Sequence, residues 1–228
     1  MPITESTGSD NYYYPVALNI KGRQCVVIGG GPIALRKVQA LIESGAFVTV
    51  ISPEVCLELA RMMEDGKIRA ELREFRTGDL KGCFVAIAAT DNSEINRRVA
   101  LEGREKSVLV NVVDDAALSD FIAPSIIRRG DMSIGISTSG QSPALARKLR
   151  LILESQFSEE YASLARLIGE VRAQVKQEKL TVDAESWQEV LDLELLVQLL
   201  KEGEPDKARN ILLGNLRARQ VKKETLKL

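Results

Sequence analysis

The sequence predicts an α/β fold in which a parallel sheet is wrapped by helices and followed by an all-α region. Two observations carry this. Short apolar runs recur at 25–28, 47–51, 84–88, 107–113 and 133–136 with helical patterns between them, as repeated βαβ units require. Beyond about residue 142 the strand signals stop, and apolar positions follow helix spacing over 142–176, 181–202 and 205–223, with Gly203-Glu204-Pro205 as a break.

The run 25–28 leads through glycines into a helix over 33–44, where Ile33, Leu35, Val38, Leu41 and Ile42 recur at near-helical intervals and Gly45 supplies the stop. The run 47–51 leads into a helix over 54–65, and 84–88 into one over 93–106 capped by Asp91, Asn92 or Ser93. The later helices are long and rich in Leu, Ile and Val. Their periodicity suits a helical appendage and pairing with a second copy equally well.

Composition narrows the function. A chain of 228 residues with 45% hydrophobic content can bury one core, or one core and an appendage. Its 31 basic residues balance 32 acids, so no charge excess points to nucleic acid or a membrane surface. Cys25, Cys56 and Cys83 are odd in number and lack CxxC spacing, which argues against a disulfide framework or a zinc site and for a reducing cytoplasm. Residues 1–14 are polar and are expected to form a loose tail rather than a signal peptide, and no apolar run reaches membrane-spanning length. Histidine is absent, so any proton transfer falls to carboxylates, hydroxyls, backbone or a cofactor.

Gly29-x-Gly31-x-x-Ala34 stands directly after a strand and directly before a helix. There the first glycine permits the tight turn, the second lets a pyrophosphate approach the backbone, and the small third residue lets helix and strand pack. Exposed N–H groups at the helix start then meet the phosphates. This predicts a Rossmann-like dinucleotide site. The acid expected about 20 residues on, at the end of the second strand, is replaced by Ser52-Pro53-Glu54. Either Glu54 reaches back to the ribose, or Ser52 and the local backbone bind it. No arginine adjoins Ser52 to receive a 2′-phosphate, which favours NAD.

Strand ends line the crevice in such a sheet, so Ala88, Ala89, Thr90 and Asp91 are expected beside the cofactor, Asp91 in a position that also suits a helix N-cap. The fourth strand ends "VLVNVVDD", which brings Asn111, Asp114 and Asp115 to the same rim. Asp114 is the leading candidate for proton transfer. Ser137-Thr138-Ser139-Gly140-Gln141-Ser142 precedes a helix opened by Pro143 and forms a second candidate anion loop. Arg128, Arg129, Arg147, Lys148 and Arg150 lie around it in sequence, a cluster able to collect carboxylates, although Arg150 also reads as a solvated helix position.

Together, "YPVALNIKGRQCVVIGGGPIALRKVQALIESGAFVTVISPE", "AIAATDNSEINRRV", "LVNVVDDAALSDFIAPSIIRRG" and "ISTSGQSPALARKLR" resemble the precorrin-2 dehydrogenase family, the dehydrogenase/chelatase module of sirohaem synthase. The resemblance covers residues 14–150. It implies an enzyme in which NAD accepts two electrons from precorrin-2 to give sirohydrochlorin; some members also insert ferrous iron to make sirohaem. Carried over, the cofactor contacts fall on Gly29, Gly31, Pro32, Ile33, Pro53 and Glu54, with Ser52, Ala89 and Thr90 beside them. The catalytic aspartate corresponds to Asp114. Asn111, Ser137, Thr138, Ser139, Gly140, Arg128 and Arg147 are the expected substrate contacts, with Thr138 standing where some relatives carry serine. The family's dimers interlock through their helical parts. The resulting expectation is a tail over 1–14, an NAD-binding Rossmann domain over 15–114, a dimerisation and substrate-site segment over 115–150, and a helical region over 151–228. That last region is too short for the methyltransferase domain of fused sirohaem synthases, so a separate enzyme is expected to supply precorrin-2. A contrasting expectation is a non-catalytic NAD-sensing module, which needs the glycine loop but neither Asp114 nor the serine loop.

Overall fold

The structure, a computed structural model, describes residues 13–225, so the expected tail lies outside the described residues through residue 12. The described chain divides into two units, one running through Ala123 with Ser139–Gln141 added, the other comprising Pro124–Thr138 and the chain from Ser142 onward. Residues 115–150, expected as a segment of their own, are shared between them.

The first unit contains β1 (Gln24–Ile28), α1 (Pro32–Glu43), β2 (Phe47–Ile51), α2 (Leu57–Glu64), β3 (Arg69–Glu71), β4 (Val85–Ala88), α3 (Ser93–Lys106) and β5 (Leu109–Val112). The strands form one parallel sheet in the order β3-β2-β1-β4-β5. Strand order reverses about β1, which opens a crevice at the sheet's C-terminal rim. Ile28 lies opposite both Ile51 and Ala88, and Ala88 opposite Val112, so four strands end abreast.

Side chains alternate across the sheet. Cys25, Val27, Val48, Val50, Val85 and Ile87 pack with Ala34, Val38 and Leu41 of α1 and Leu59 of α2. Val26, Ile28, Ala86, Ala88, Val110 and Val112 pack with Val99 and Ala100 of α3 and with Leu80. Burial on both faces explains why these strands are continuous apolar runs. Gly45 adopts φ 79° and ends α1 as expected, its N–H donating to the Ile42 carbonyl at 2.8 Å.

Three local readings change. The helix expected from residue 54 starts at Leu57, because the chain before it stays extended and the Cys56 N–H donates to the Gly30 carbonyl at 2.8 Å. β3 escapes the apolar-run criterion because it is a three-residue edge strand reading Arg-Ala-Glu. Asn92, not Asp91, caps α3, its side chain accepting from the Glu94 and Ile95 N–H groups at 3.0 and 3.1 Å.

The second unit contains β6 (Ser125–Arg129), β7 (Met132–Ile136), α4 (Pro143–Gln156), α5 (Glu160–Gln177), α6 (Ala184–Val190), α7 (Leu193–Lys201) and α8 (Pro205–Thr225). The run at 133–136 is therefore a strand but no part of the parallel sheet. It pairs antiparallel with β6 through the two-residue turn Gly130-Asp131, which leaves no length for a crossover helix. Gly130 has φ 56°, as the first central position of a II′ hairpin demands. The Arg129 guanidinium donates to the Phe157 and Glu154 carbonyls at 2.8 and 3.3 Å, satisfying the end of α4. Leu164, Leu167, Val171 and Val175 of α5 then pack with Leu196 and Leu199 of α7 and Leu212 and Leu216 of α8.

One buried acid secures the first unit. Glu102 of α3, 4% exposed, accepts from the Gly78 N–H at 2.9 Å and from the Leu80 N–H at 3.2 Å. Glu102→Ala leaves both donors without a partner and is expected to cost about 3 kcal/mol in chemical denaturation.

Candidate cofactor site and catalytic loop

The turn from β1 to α1 is held between two neighbouring strand ends. A Cβ on Gly29 would lie 2.2 Å from the Ala89 carbonyl oxygen, and one on Gly30 would lie 1.9 Å from the Glu54 carbonyl oxygen. Gly29 also has φ 124°, which a residue with a Cβ rarely adopts. Gly31 differs: a Cβ there meets nothing within 4 Å. Gly31 is the N-cap of α1 and no side chain caps the helix, so the N–H groups of its first turn face an open cradle with Pro32 pre-setting the helix. This cradle fits a pyrophosphate. Pro32 and Ile33 lie exposed at its edge, and Ala34 is fully buried beneath it.

At the end of β2 the Ser52 hydroxyl donates to the Glu54 carbonyl at 2.6 Å, and Ser52 is buried. That bond forms the turn against which Gly30 packs. Pro53 and Glu54 are exposed, leaving the Glu54 carboxylate outward at the rim. At the end of β4, Ala89 and Thr90 are half-buried. The Thr90 hydroxyl donates to Asn96 Oδ1 at 2.9 Å and accepts from the Asn92 N–H at 3.1 Å, while Asn96 Nδ2 returns a bond to the Thr90 carbonyl at 2.9 Å. Buried Asn96 thus locks the loop whose Ala89 carbonyl abuts Gly29.

Asp114 follows β5 and is exposed. The Asp115 N–H donates to the Val112 carbonyl at 3.2 Å, closing a four-residue turn with Asp114 in its third position at φ 60°. Aspartate tolerates this backbone better than most residues with a Cβ. The segment after the turn folds back on the open edge of β5. Asn111 is buried, and its Nδ2 donates to the Phe121 carbonyl at 3.0 Å. The Asp120 N–H donates to the Val110 carbonyl at 2.8 Å, and Asp120 Oδ2 accepts from the Val110 N–H at 2.9 Å. Lys37 of α1, half-buried, feels Asp114: burial pushes its ammonium below the ordinary lysine range, Arg36 adds to that, and Asp114 opposes it.

The glycine loop, the β2 end, Ala89, Thr90, Asn111 and Asp114 all belong to the first unit. Ser139 and Gly140 are grouped with it as well, as a left-handed pair at φ 52° and 83°. Ser137, Thr138, Arg128 and Arg147 belong to the second unit. Thr138 Oγ1 accepts from the Ser142 N–H at 3.0 Å, and Ser142 Oγ caps α4 by accepting from the Leu145 N–H at 3.2 Å. Arg128 and Arg147 are exposed, whereas Arg150 pairs with Glu154 at 2.5 Å. Lys37, Asn96 and Ser119 escaped sequence reading, since each meets its partner only through folding; Gly30 carried a signal in the triple glycine.

Aspartate is a favourable N-cap residue, so Gly31→Asp is expected to keep the wild-type melting temperature yet abolish NAD binding by titration. Gly30→Ala, with carbonyl backbone in its way, is expected to lower the melting temperature itself. Because Lys37 has a lowered folded pKa, the unfolded chain binds more protons between that value and 10.5, and stability rises with pH across the window. Lys37→Met is therefore expected to raise the melting temperature at pH 7, the gain shrinking toward the top of that window in paired thermal melts.

Known proteins match along the chain. An NAD(P)-binding family matches residues 16–125, and the central part of the sirohaem biosynthesis protein matches residues 129–156. The siroheme synthase of Nitrosococcus oceani is 40% identical over 181 residues, covering 78% of this chain and 39% of that protein. That of Thioalkalivibrio sulfidiphilus is 39% identical over 202 residues, covering 88% of this chain and 41% of the relative. The chain therefore spans about two fifths of the length of these relatives. Among solved structures, SirC, precorrin-2 dehydrogenase, superposes with a TM-score of 0.66 at 26% identity, over 90% of this chain and 100% of that one. Along its length, then, the chain is similar to the NAD(P)-binding and central parts of sirohaem synthases and to a precorrin-2 dehydrogenase.

Proposed function

We propose that this chain oxidises precorrin-2 to sirohydrochlorin with NAD, Asp114 taking the proton released. The observation that carries the reading is the placement of an exposed carboxylate, on a turn directly after β5, at the same sheet rim as the open cradle at Gly31. The likeness to sirohaem synthases and the match to the whole of a precorrin-2 dehydrogenase support it.

NAD, when bound, supplies the two-electron acceptor. The first turn of α1 holds the pyrophosphate, with Gly29 and Gly31 letting it approach. Glu54, exposed and preceded by a Ser52 hydroxyl already spent on the turn, accepts from the ribose hydroxyls and repels a 2′-phosphate. Ala89 and Thr90 form the opposite wall. Overall the macrocycle gives up a hydride and a proton. Asp114 takes the proton and, being exposed, passes it to water. Arg128 and Arg147, exposed on the second unit, suit anionic groups such as the carboxylates of this substrate.

The reading extends to a cytoplasmic homodimer. Leu145, Leu149 and Ile152 of α4 are 50%, 38% and 45% exposed at i, i+4 and i+7, an apolar stripe suited to a second copy. Ferrous iron, as substrate, extends it to ferrochelation of sirohydrochlorin, where loss of two pyrrole protons again calls on Asp114.

Incubation with precorrin-2 and NAD without oxygen is expected to give sirohydrochlorin absorbance; NAD binding with no product would replace this reading with the sensing module. Asp114→Asn is expected to keep NAD affinity while kcat falls about 100-fold or more.

A further inference from the structure

The Asp114 turn is held from outside by a single hydroxyl. Ser119 Oγ accepts from the Val112 N–H at 2.9 Å and faces two carbonyls as donor, Asp115 at 2.7 Å and Val112 at 3.1 Å. One side chain therefore grips both ends of the turn that carries Asp114 at φ 60°. Asp115 adds a brace, Oδ1 accepting from the Leu118 N–H at 3.0 Å and drawing the chain round toward Ser119.

This grip is separate from what holds the loop on the sheet. On the open edge of β5, Val110 is paired by Asp120 through two bonds, and Asn111 holds the Phe121 carbonyl. Val113 and Phe121 also pack on the apolar cluster beneath. Removing the Ser119 hydroxyl leaves those anchors in place and frees only the turn. Left-handed backbone is unfavourable for a residue with a Cβ, so Asp114 keeps it only while its surroundings enforce it.

We propose that Ser119 is a positioning residue for Asp114, its hydroxyl clamping the Val112–Asp115 turn so that the carboxylate is held at the rim for proton transfer. This rests on the reading of Asp114 as the proton acceptor. Ser119 spends its hydroxyl on the backbone of the turn, so its effect falls on the chemical step and not on cofactor binding.

Steady-state oxidation of precorrin-2 by NAD tests the clamp. Ser119→Ala is expected to lower kcat about 10–100-fold, the range for a reacting group displaced by an ångström or less, with KM for NAD unchanged within about twofold. Ser119→Thr, which keeps the hydroxyl, is expected to recover most of kcat. Ser119→Ala added to Asp114→Asn is expected to lower kcat no further. Should Ser119→Ala not fold, Ser119→Cys keeps the volume while weakening the bonds and carries the same comparison. Wild-type kcat in Ser119→Ala or Ser119→Cys, beside a disabled Asp114→Asn, overturns the clamp. Wild-type kcat in Asp114→Asn overturns the role of Asp114 itself.

Discussion

A Cβ at Gly29 or Gly30 would drive into the carbonyl of Ala89 or Glu54, and neither carbonyl can step aside without moving the end of a strand. The turn from β1 to α1 is wedged between β4 and β2 with no slack, and the first-unit site depends on that fit. The wedge fixes where α1 begins, which fixes where its unpaired N–H groups emerge at Gly31. It also ties the two flanking loops to one reference, so that a shift in either is felt at the glycines.

The polar side chains at the rim divide by what they are free to do. Ser52 spends its hydroxyl on the Glu54 carbonyl, Thr90 on Asn96 and Asn92, and Asn111 its amide on Phe121. These side chains shape the crevice. Glu54 and Asp114 stay exposed, and the backbone at Gly31 stays open. The helical unit repeats the pattern: Thr138 and Ser142 close the turn into α4, while Arg147 stays exposed. Burial without a partner is costly, so polar residues near a strand end are satisfied internally first.

Much of the frame was legible before folding. The apolar runs of β1, β2, β4 and β5, the stop at Gly45, the glycine spacing and the placement of Asp114 after a strand all follow from local pattern. β3 and β6 were not legible, since Arg-Ala-Glu and Ser-Ile-Ile-Arg-Arg carry little alternation that pattern reading can use. The antiparallel partner of β7 was missed because an apolar run says that a strand exists, not which strand it joins.

The sequence by itself determined that a dinucleotide-type turn lies between the first strand and helix, that these 228 residues hold no histidine, and that an aspartate follows the fourth apolar run of the sheet. Those properties depend on residue identity and on spacing of a few residues, within which the backbone has few choices. Only the tertiary structure decided that Gly30 is packed and Gly31 open, that Lys37 feels Asp114, and that Ser119 grips the Asp114 turn. Gly30 against Glu54 is a contact, and Lys37 with Asp114 an electrostatic influence, between segments far apart in the chain, set by the register in which the strands pair. Ser119 lies near Asp114 in sequence, yet its bonds form only because the loop folds back on the open edge of β5.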